Sequence, residues 1–228
     1  YPFIVENGAG IFWSKQSMVF SDAFKREWLQ NIEIQDWHGE YEFVSLNTVS
    51  MSKMLELAQR FRKQFNLIFT SFSEMSAQQV ADCTGLTLEE AAKAKKRHFS
   101  EPLLWQDTDE QLKRLASHLK PFGLQLIKGG RFVHLMGLSN KGLALQFLTA
   151  YYHQAWQKPI ETMALGDGNN DVPLLEKSDN PVIIRSPVNP PPKVNHSKVI
   201  VTKEYGPQGW NHAVLNWLKS TKPTSVST

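Results

Sequence analysis

Thr162-Met163-Ala164-Leu165-Gly166-Asp167-Gly168-Asn169-Asn170-Asp171-Val172-Pro173-Leu174-Leu175-Glu176 is the stretch on which the reading of this chain turns. A short apolar run enters a turn made of glycine, amide and carboxylate, and a helix-like run leaves it at Val172, which reads as strand, sharp turn, helix. The two glycines let the backbone turn tightly and let a ligand come close. Asp167 and Asp171 put two hard oxygen donors at the mouth of a sheet, a place that suits Mg²⁺ and a phosphate. Strand and helix on either side favour that reading over an ordinary Gly/Asn/Asp turn.

Two other loops share part of the pattern. Asp167, Asn169 and Asp171 fill the first, third and fifth places of a calcium loop, but the sixth holds Val172 instead of glycine and the twelfth holds Ser178 instead of a bidentate glutamate. A dinucleotide fingerprint fails at its third glycine, replaced by Asp171, whose charge repels a pyrophosphate unless a metal intervenes. A metal-assisted phosphate site is what remains.

With 228 residues, 41% of them hydrophobic, the chain can bury a sizeable core as one large domain or two small ones. The 25 basic and 22 acidic residues give a formal charge of +3 and are interspersed apart from Lys93 to Arg97. There is no basic stripe interleaved with aromatics, which argues against nucleic acid as a partner, while a mildly basic balance suits a small anionic substrate. Cys83 is the single cysteine, so no internal disulfide can form, and no zinc or Cys-His spacing surrounds it. A reducing cytoplasm is the expected location. No leader peptide and no membrane-length apolar run is read, and Asn195-His196-Ser197 matches a glycosylation sequon by chance.

Outward from the central stretch, Lys141 to Tyr152 reads as a helix, Pro181 to Arg185 and Lys198 to Thr202 as strands, and Trp210 to Leu218 as a closing helix, with a proline-rich loop at 186–192. This alternation is that of βαβ units. Lys219 to Thr228 is polar and expected to fray. The N-terminal side starts with Tyr1 to Ala9, read as a buried strand ending at Asn7-Gly8. Tyr41 to Asn47 and Leu67 to Phe72 read as strands, and a helix after Ser50 carries Met54, Leu57, Ala58 and Phe61. Helices are expected over Ser76 to Cys83 and over Thr87 to Arg97, the latter with Thr87 and Glu90 as a capping box. Phe99 to Trp105 reads as a strand, Asp109 to Leu119 as a helix capped by Asp107 or Asp109, and Leu124 to Leu135 as a hairpin turning at Gly129-Gly130. The expected organisation is an α/β core at residues 1–38 and 137–228, interrupted by an α+β domain at 39–136. Trp13, Trp28, Trp37, Trp105, Trp156 and Trp217 are assigned to packing, and His38, His118, His153, His196 and His212 show no ligand spacing.

Phosphoryl transfer needs charge neutralisation and in-line positioning. Lys141, in Ser139-Asn140-Lys141-Gly142 at a helix start, is the lysine best placed for it. Together, Glu6-Asn7-Gly8-Ala9, Lys141-Gly142 and Gly166 to Asp171 resemble, in order and spacing, the haloacid dehalogenase superfamily of phosphatases, in the branch whose cap is inserted late in the core. Within it the chain is similar to mannosyl-3-phosphoglycerate phosphatases through Arg97-His98-Phe99-Ser100-Glu101-Pro102, Gly129-Gly130-Arg131-Phe132-Val133-His134 and Gly206-Pro207-Gln208-Gly209-Trp210.

The resemblance implies a Rossmann-like α/β core with an inserted α+β cap. It also implies Mg²⁺-dependent hydrolysis of a phosphomonoester through an aspartyl-phosphate, with Mg²⁺ on Asp167 and Asp171 and the phosphate on Lys141 and Asn170. Arg97, Ser100, Glu101, Arg131 and His134 fit, by type and by resemblance, the contacts a glycosylated 3-phosphoglycerate needs. Trp210 is expected near the end of the core, by the site. The family's Asp-x-Asp nucleophile motif and its phosphate-binding Ser or Thr are not in this sequence. Asp107-Thr108-Asp109 lies in the cap block, without the family's Gly-Thr continuation, and reads as structural. Two βα units, roughly 50 residues, are expected ahead of Phe3, and the chain without them is expected to be inactive. The expected partner is a small phosphosugar. Rival readings are a phosphatase of the sucrose-phosphate type and a non-catalytic phosphosugar-binding module.

Overall fold

Short polar side chains start the first five helices of this protein. The computed structural model describes residues 1–220, arranged in two compact units, the first spanning residues 1–140 and the second beginning at Lys141.

The first unit carries β1 (Phe3–Val5), β2 (Gly10–Ser14), α1 (Asp22–Trp28), β3 (Gln35–Trp37), β4 (Tyr41–Ser45), α2 (Met51–Phe65), β5 (Phe69–Ser71), α3 (Ala77–Thr84), α4 (Leu88–Ala94), β6 (Ser100–Trp105), α5 (Asp109–Leu119), β7 (Leu124–Lys128) and β8 (Val133–Gly137). Ser21, Ser50, Ser76, Thr87 and Thr108 cap α1 to α5 by accepting from a backbone N–H three residues on, each removing one unpaired donor from a helix start. Ser76 with Gln79 and Thr87 with Glu90 complete capping boxes. Asn66 and Gly85 end α2 and α3 in the left-handed conformation.

Two antiparallel sheets result, in strand orders β1-β2-β4-β3 and β5-β6-β8-β7. One face of the second sheet, with Leu103, Val133, Leu135 and Leu124, buries itself against Met54, Leu57 and Phe61 of α2 and Leu112, Leu115 and Leu119 of α5. Its opposite face meets the first sheet, where Phe12, Phe43, Phe99 and Met136 cluster and the Phe12 and Phe43 rings stack 4.8 Å apart. Farther along that face Leu104 and Phe132 pack on Phe72, Met75, Val80 and Ala91, under α3 and α4. The chain leaves and re-enters this β5–β8 layer at one place: Ser139 Oγ donates to Asn47 Oδ1 at 2.6 Å, and Asn47 Nδ2 donates to the Phe99 carbonyl at 2.7 Å. Gly137 permits this, since a Cβ there would run into the Asn47 amide.

The second unit contains α6 (Lys141–Trp156), β9 (Met163–Gly166), α7 (Val172–Lys177), β10 (Asn180–Arg185), β11 (Ile200–Tyr205) and α8 (Gly206–Ser220). Its sheet is parallel, in order β11-β10-β9. Ala164, Leu175 and Ile183 form its buried centre. The parallel sheet with helical crossover and the mixed first unit bear out an α/β protein with an added α+β block. Residues 1–38 fall in the same compact unit as 39–136.

Several local expectations change. The fully buried N-terminal strand is β2, which no alternation announces because both of its faces are covered, whereas Phe3 of β1 is half exposed. Neither Asp107 nor Asp109 caps α5; Thr108 does, while Asp107 accepts from Thr108 N and Ile68 N and Asp109 pairs with Lys128. Trp156 is exposed instead of packed, whereas Trp13 is wholly buried and donates to Glu42. The expected fraying at 219–228 falls for residues 221–228 outside the described residues. Among the described residues no helix is long and apolar enough to cross a membrane.

Candidate functional site

In the second unit β9 ends at Gly166, and the turn that follows folds Asp171 back beneath it. A Cβ at position 166 would collide with the Cβ of Asp171, so glycine is what lets that carboxylate reach the strand end. Asp171 is 6% exposed, and a carboxylate so buried requires partners. Its Oδ2 accepts from the backbone N–H of Asp167 at 3.1 Å and of Gly168 at 3.2 Å, and its Oδ1 accepts from Lys141 Nζ at 2.5 Å. Lys141 is the first residue of α6, where unpaired N–H groups add positive potential. Asn170 turns its side-chain oxygen toward Gly168, close enough that a Cβ there would be crowded. Asp167 is exposed at the rim.

A cleft of ≈ 570 Å³ opens over these groups, lined by Lys141, Asp167 and Asp171 together with Ile184, Pro207 and Trp210. It lies at the carboxyl ends of β9 and β10, where ligands of parallel sheets bind. Lys141, Asp167 and Asp171 are thus brought to one cleft, and Asn170 lies in the turn between the two aspartates, outside the residues that line it. Among the described residues no group of three or more His, Cys, Asp or Glu forms a metal cluster. Two carboxylates of oxygen-donor type fit a Mg²⁺ ion, which keeps several of its own waters and takes one or two carboxylates from a protein. The arrangement can hold a cation and an anion side by side, with Lys141 balancing the buried charge of Asp171.

The residues expected to choose the substrate lie in the first unit and are only partly together. Arg97 donates from Nε to the Ser100 carbonyl at 3.1 Å and from Nη2 to Ser100 Oγ at 2.7 Å. His134 faces the same side as Ser100, since Ser100 is opposite Met136 and Pro102 opposite His134 in register. Burial, and after it the positive charge of Arg97, push the imidazole below its ordinary pKa, with Glu6 pulling the other way. Its Nδ1 is buried with no hydrogen-bond partner among the described residues.

Glu101, opposite Leu135, points to the other face; it is 2% exposed and accepts from Ser73 N at 2.6 Å. Arg131 donates through Nη1 to the carbonyls of Cys83 and Thr84 at the end of α3.

Glu6 joins this group without having been picked out individually. Its carboxylate accepts from His98 N, Phe99 N and Ser100 Oγ and pairs with Arg97. The only signal for it in the sequence was its place in Glu6-Asn7-Gly8-Ala9. Pro207 was signalled in the same way by the Gly206 to Trp210 motif, and Trp210 lines the cleft as expected.

The sequence pattern of the haloacid dehalogenase-like hydrolases matches residues 1–194. A glucosyl-3-phosphoglycerate/mannosyl-3-phosphoglycerate phosphatase of Methanococcoides burtonii is 31% identical over 95% of this chain and 75% of its own length. One of Persephonella marina, carrying the same description, is 29% identical over 93% of this chain and 74% of its own. A solved protein structure from Streptococcus mutans superposes with a TM-score of 0.56 at 16% identity, covering 96% of this chain and 77% of that one, which shows a common fold.

Proposed function

This chain belongs to the haloacid dehalogenase-like hydrolases, and from that premise we propose that it serves the removal of phosphate from a glycosyl 3-phosphoglycerate, with mannosyl-3-phosphoglycerate converted to mannosylglycerate. The observation that carries this reading is the Lys141–Asp171 pair beside Asp167 in the cleft at the end of β9. In this reading Lys141 Nζ holds a phosphoryl oxygen and the Asn170 amide donates to another. Asp167 and Asp171 would hold Mg²⁺, which supplies charge neutralisation on the transferring phosphoryl group. The phosphoryl acceptor in this reading is an aspartate outside these 228 residues, since no Asp-x-Asp here lies on a core strand. Arg97 and His134 offer donors to the substrate's anionic groups, and Ser100, Glu101 and Arg131 complete the proposed set.

The relatives' descriptions support the substrate class. The test is phosphate release by the protein as its source cell makes it, with Mg²⁺, from mannosyl-3-phosphoglycerate, glucosyl-3-phosphoglycerate and sucrose phosphate. Preference for the first two, lost in Lys141→Met, is the expected result. Equal rates on all three, or unchanged turnover in Lys141→Met, refutes the reading.

A further inference from the structure

Glu6, Asn7 and Gly8 follow one another with φ of 47°, 59° and 92°. Two consecutive residues with side chains in the left-handed region are sterically unfavourable, and such strain persists where surrounding contacts hold it. Here those contacts converge on one carboxylate. Glu6 Oε1 accepts from His98 N at 2.9 Å, and Oε2 accepts from Phe99 N at 3.2 Å and Ser100 Oγ at 2.7 Å, with Arg97 Nη2 at 3.3 Å. A carboxylate with this many donors is held far more firmly than a surface ion pair. Its partners are more than ninety residues away in the chain.

This arrangement fixes Arg97 and Ser100 in a defined sense. Ser100 Oγ gives its proton to Glu6 and is left to accept from Arg97 Nη2. Arg97 Nε goes to the Ser100 carbonyl, so the guanidinium plane is set by three contacts along one side. Five N–H donors are available to an arginine, and those of Nη1 make no hydrogen bond among the described residues. His134 stands near enough to feel the charges of both Arg97 and Glu6 and also has an unpartnered nitrogen.

We infer that Glu6 is the positioning residue of the substrate-recognition group: its carboxylate orients Arg97 and Ser100 so that the free Nη1 edge of Arg97 meets an oxyanion of the substrate. This rests on the proposal that Arg97 contacts substrate. Glu6 itself touches no substrate in this scheme and acts through Arg97.

A double-mutant cycle tests it, read by calorimetric binding of mannosyl-3-phosphoglycerate to the full-length protein with Mg²⁺ left out so that the substrate stays intact. Arg97→Ala and Glu6→Gln are each expected to weaken binding by about tenfold or more. The double variant should bind no more than about threefold worse than Arg97→Ala alone, and Glu6→Asp, which keeps the charge, should fall between wild type and Glu6→Gln. Additive losses would overturn the inference by making Glu6 a general structural tether. Unchanged binding in Glu6→Gln beside a loss in Arg97→Ala overturns it while leaving the functional reading intact. Unchanged binding in Arg97→Ala overturns the inference together with the assignment of Arg97 to substrate contact, since Glu6 would then have no contact to position, while the phosphatase reading, carried by Lys141 and Asp171, stands. Where Glu6→Gln does not fold, the same cycle with Glu6→Asp decides between coupled and additive losses.

Discussion

Glu74 offers a perturbation whose size can be worked out from its surroundings. Partial burial would raise its pKa, but hydrogen bonds from Arg62, from the Ser71 backbone and hydroxyl, and from Gln59 outweigh burial and hold it down from 4.5 to about 2. At about 1.4 kcal/mol for each pKa unit, such a depression corresponds to roughly 3 kcal/mol of stability. With the side chain 32% exposed, solvent screening reduces this to about 2 kcal/mol. The sign follows from the direction of the shift. Above pH 4.5 the folded and unfolded carboxyls are both ionised and the stabilisation is complete; it fades as pH falls and is gone below about 2, where both are protonated. Glu74→Gln should therefore lower the urea midpoint by about 1 M at pH 6, and by much less at the acid end. Urea titrations of both proteins at several pH values between 2 and 6 check this. A midpoint difference independent of pH, or absent at pH 6, would refute the electrostatic account and leave only packing.

Four further outcomes are expected. Mg²⁺ should raise the melting temperature of wild type and leave that of Asp171→Asn unchanged in calorimetric melts, because the substitution removes the proposed cation ligand and the partner of Lys141. Gly166→Ala should cost about 1–3 kcal/mol in urea unfolding, the usual penalty for forcing extra volume into a filled site, here against the Asp171 side chain. His134 should titrate below 6.5 by NMR. As the unfolded imidazole takes up a proton on acidification before the folded one does, wild type should lose stability as pH drops below 6.5, and His134→Gln should lack that slope. Arg131→Ala should cost about 1 kcal/mol by unpairing the carbonyls at the end of α3, and its loss of affinity should fall more on carboxylate-bearing substrates than on sucrose phosphate in a binding panel.

What the sequence made legible was local. Ser50 and Thr87 cap helices as their spacing announces, and the hairpin turns across Gly129–Phe132. The Gly166 to Asp171 turn and Lys141 meet in one cleft as their types suggest. The elements that escaped were short or buried on two sides: β2 has no polar face to mark its period, and β3 is three residues with no apolar alternation. In Asp107-Thr108-Asp109 three neighbours can all cap a helix, so propensity alone does not choose between them. Glu101 and Ser100 are adjacent in sequence, yet pleating sends them to opposite faces of β6, and the sequence gives no hint that Glu101 belongs to the Ser73 turn instead. Glu6 and Asn47 were missed as hubs because their partners lie dozens of residues downstream.

The Asn47–Ser139 hydrogen bond bears on how this protein can change over evolutionary time. Because the chain departs and returns within one side-chain contact, the stretch between those residues behaves as a cassette with its two ends already joined. Lengthening or shortening such a loop alters its closure entropy only logarithmically, by about 0.6 kcal/mol for each doubling. A lineage could therefore enlarge, trim or exchange the β5–β8 layer, and with it the proposed substrate-recognition group, while the splice point stays sealed. The constraint on such exchange is a matched surface: any replacement must again cover the stacked rings of Phe12 and Phe43.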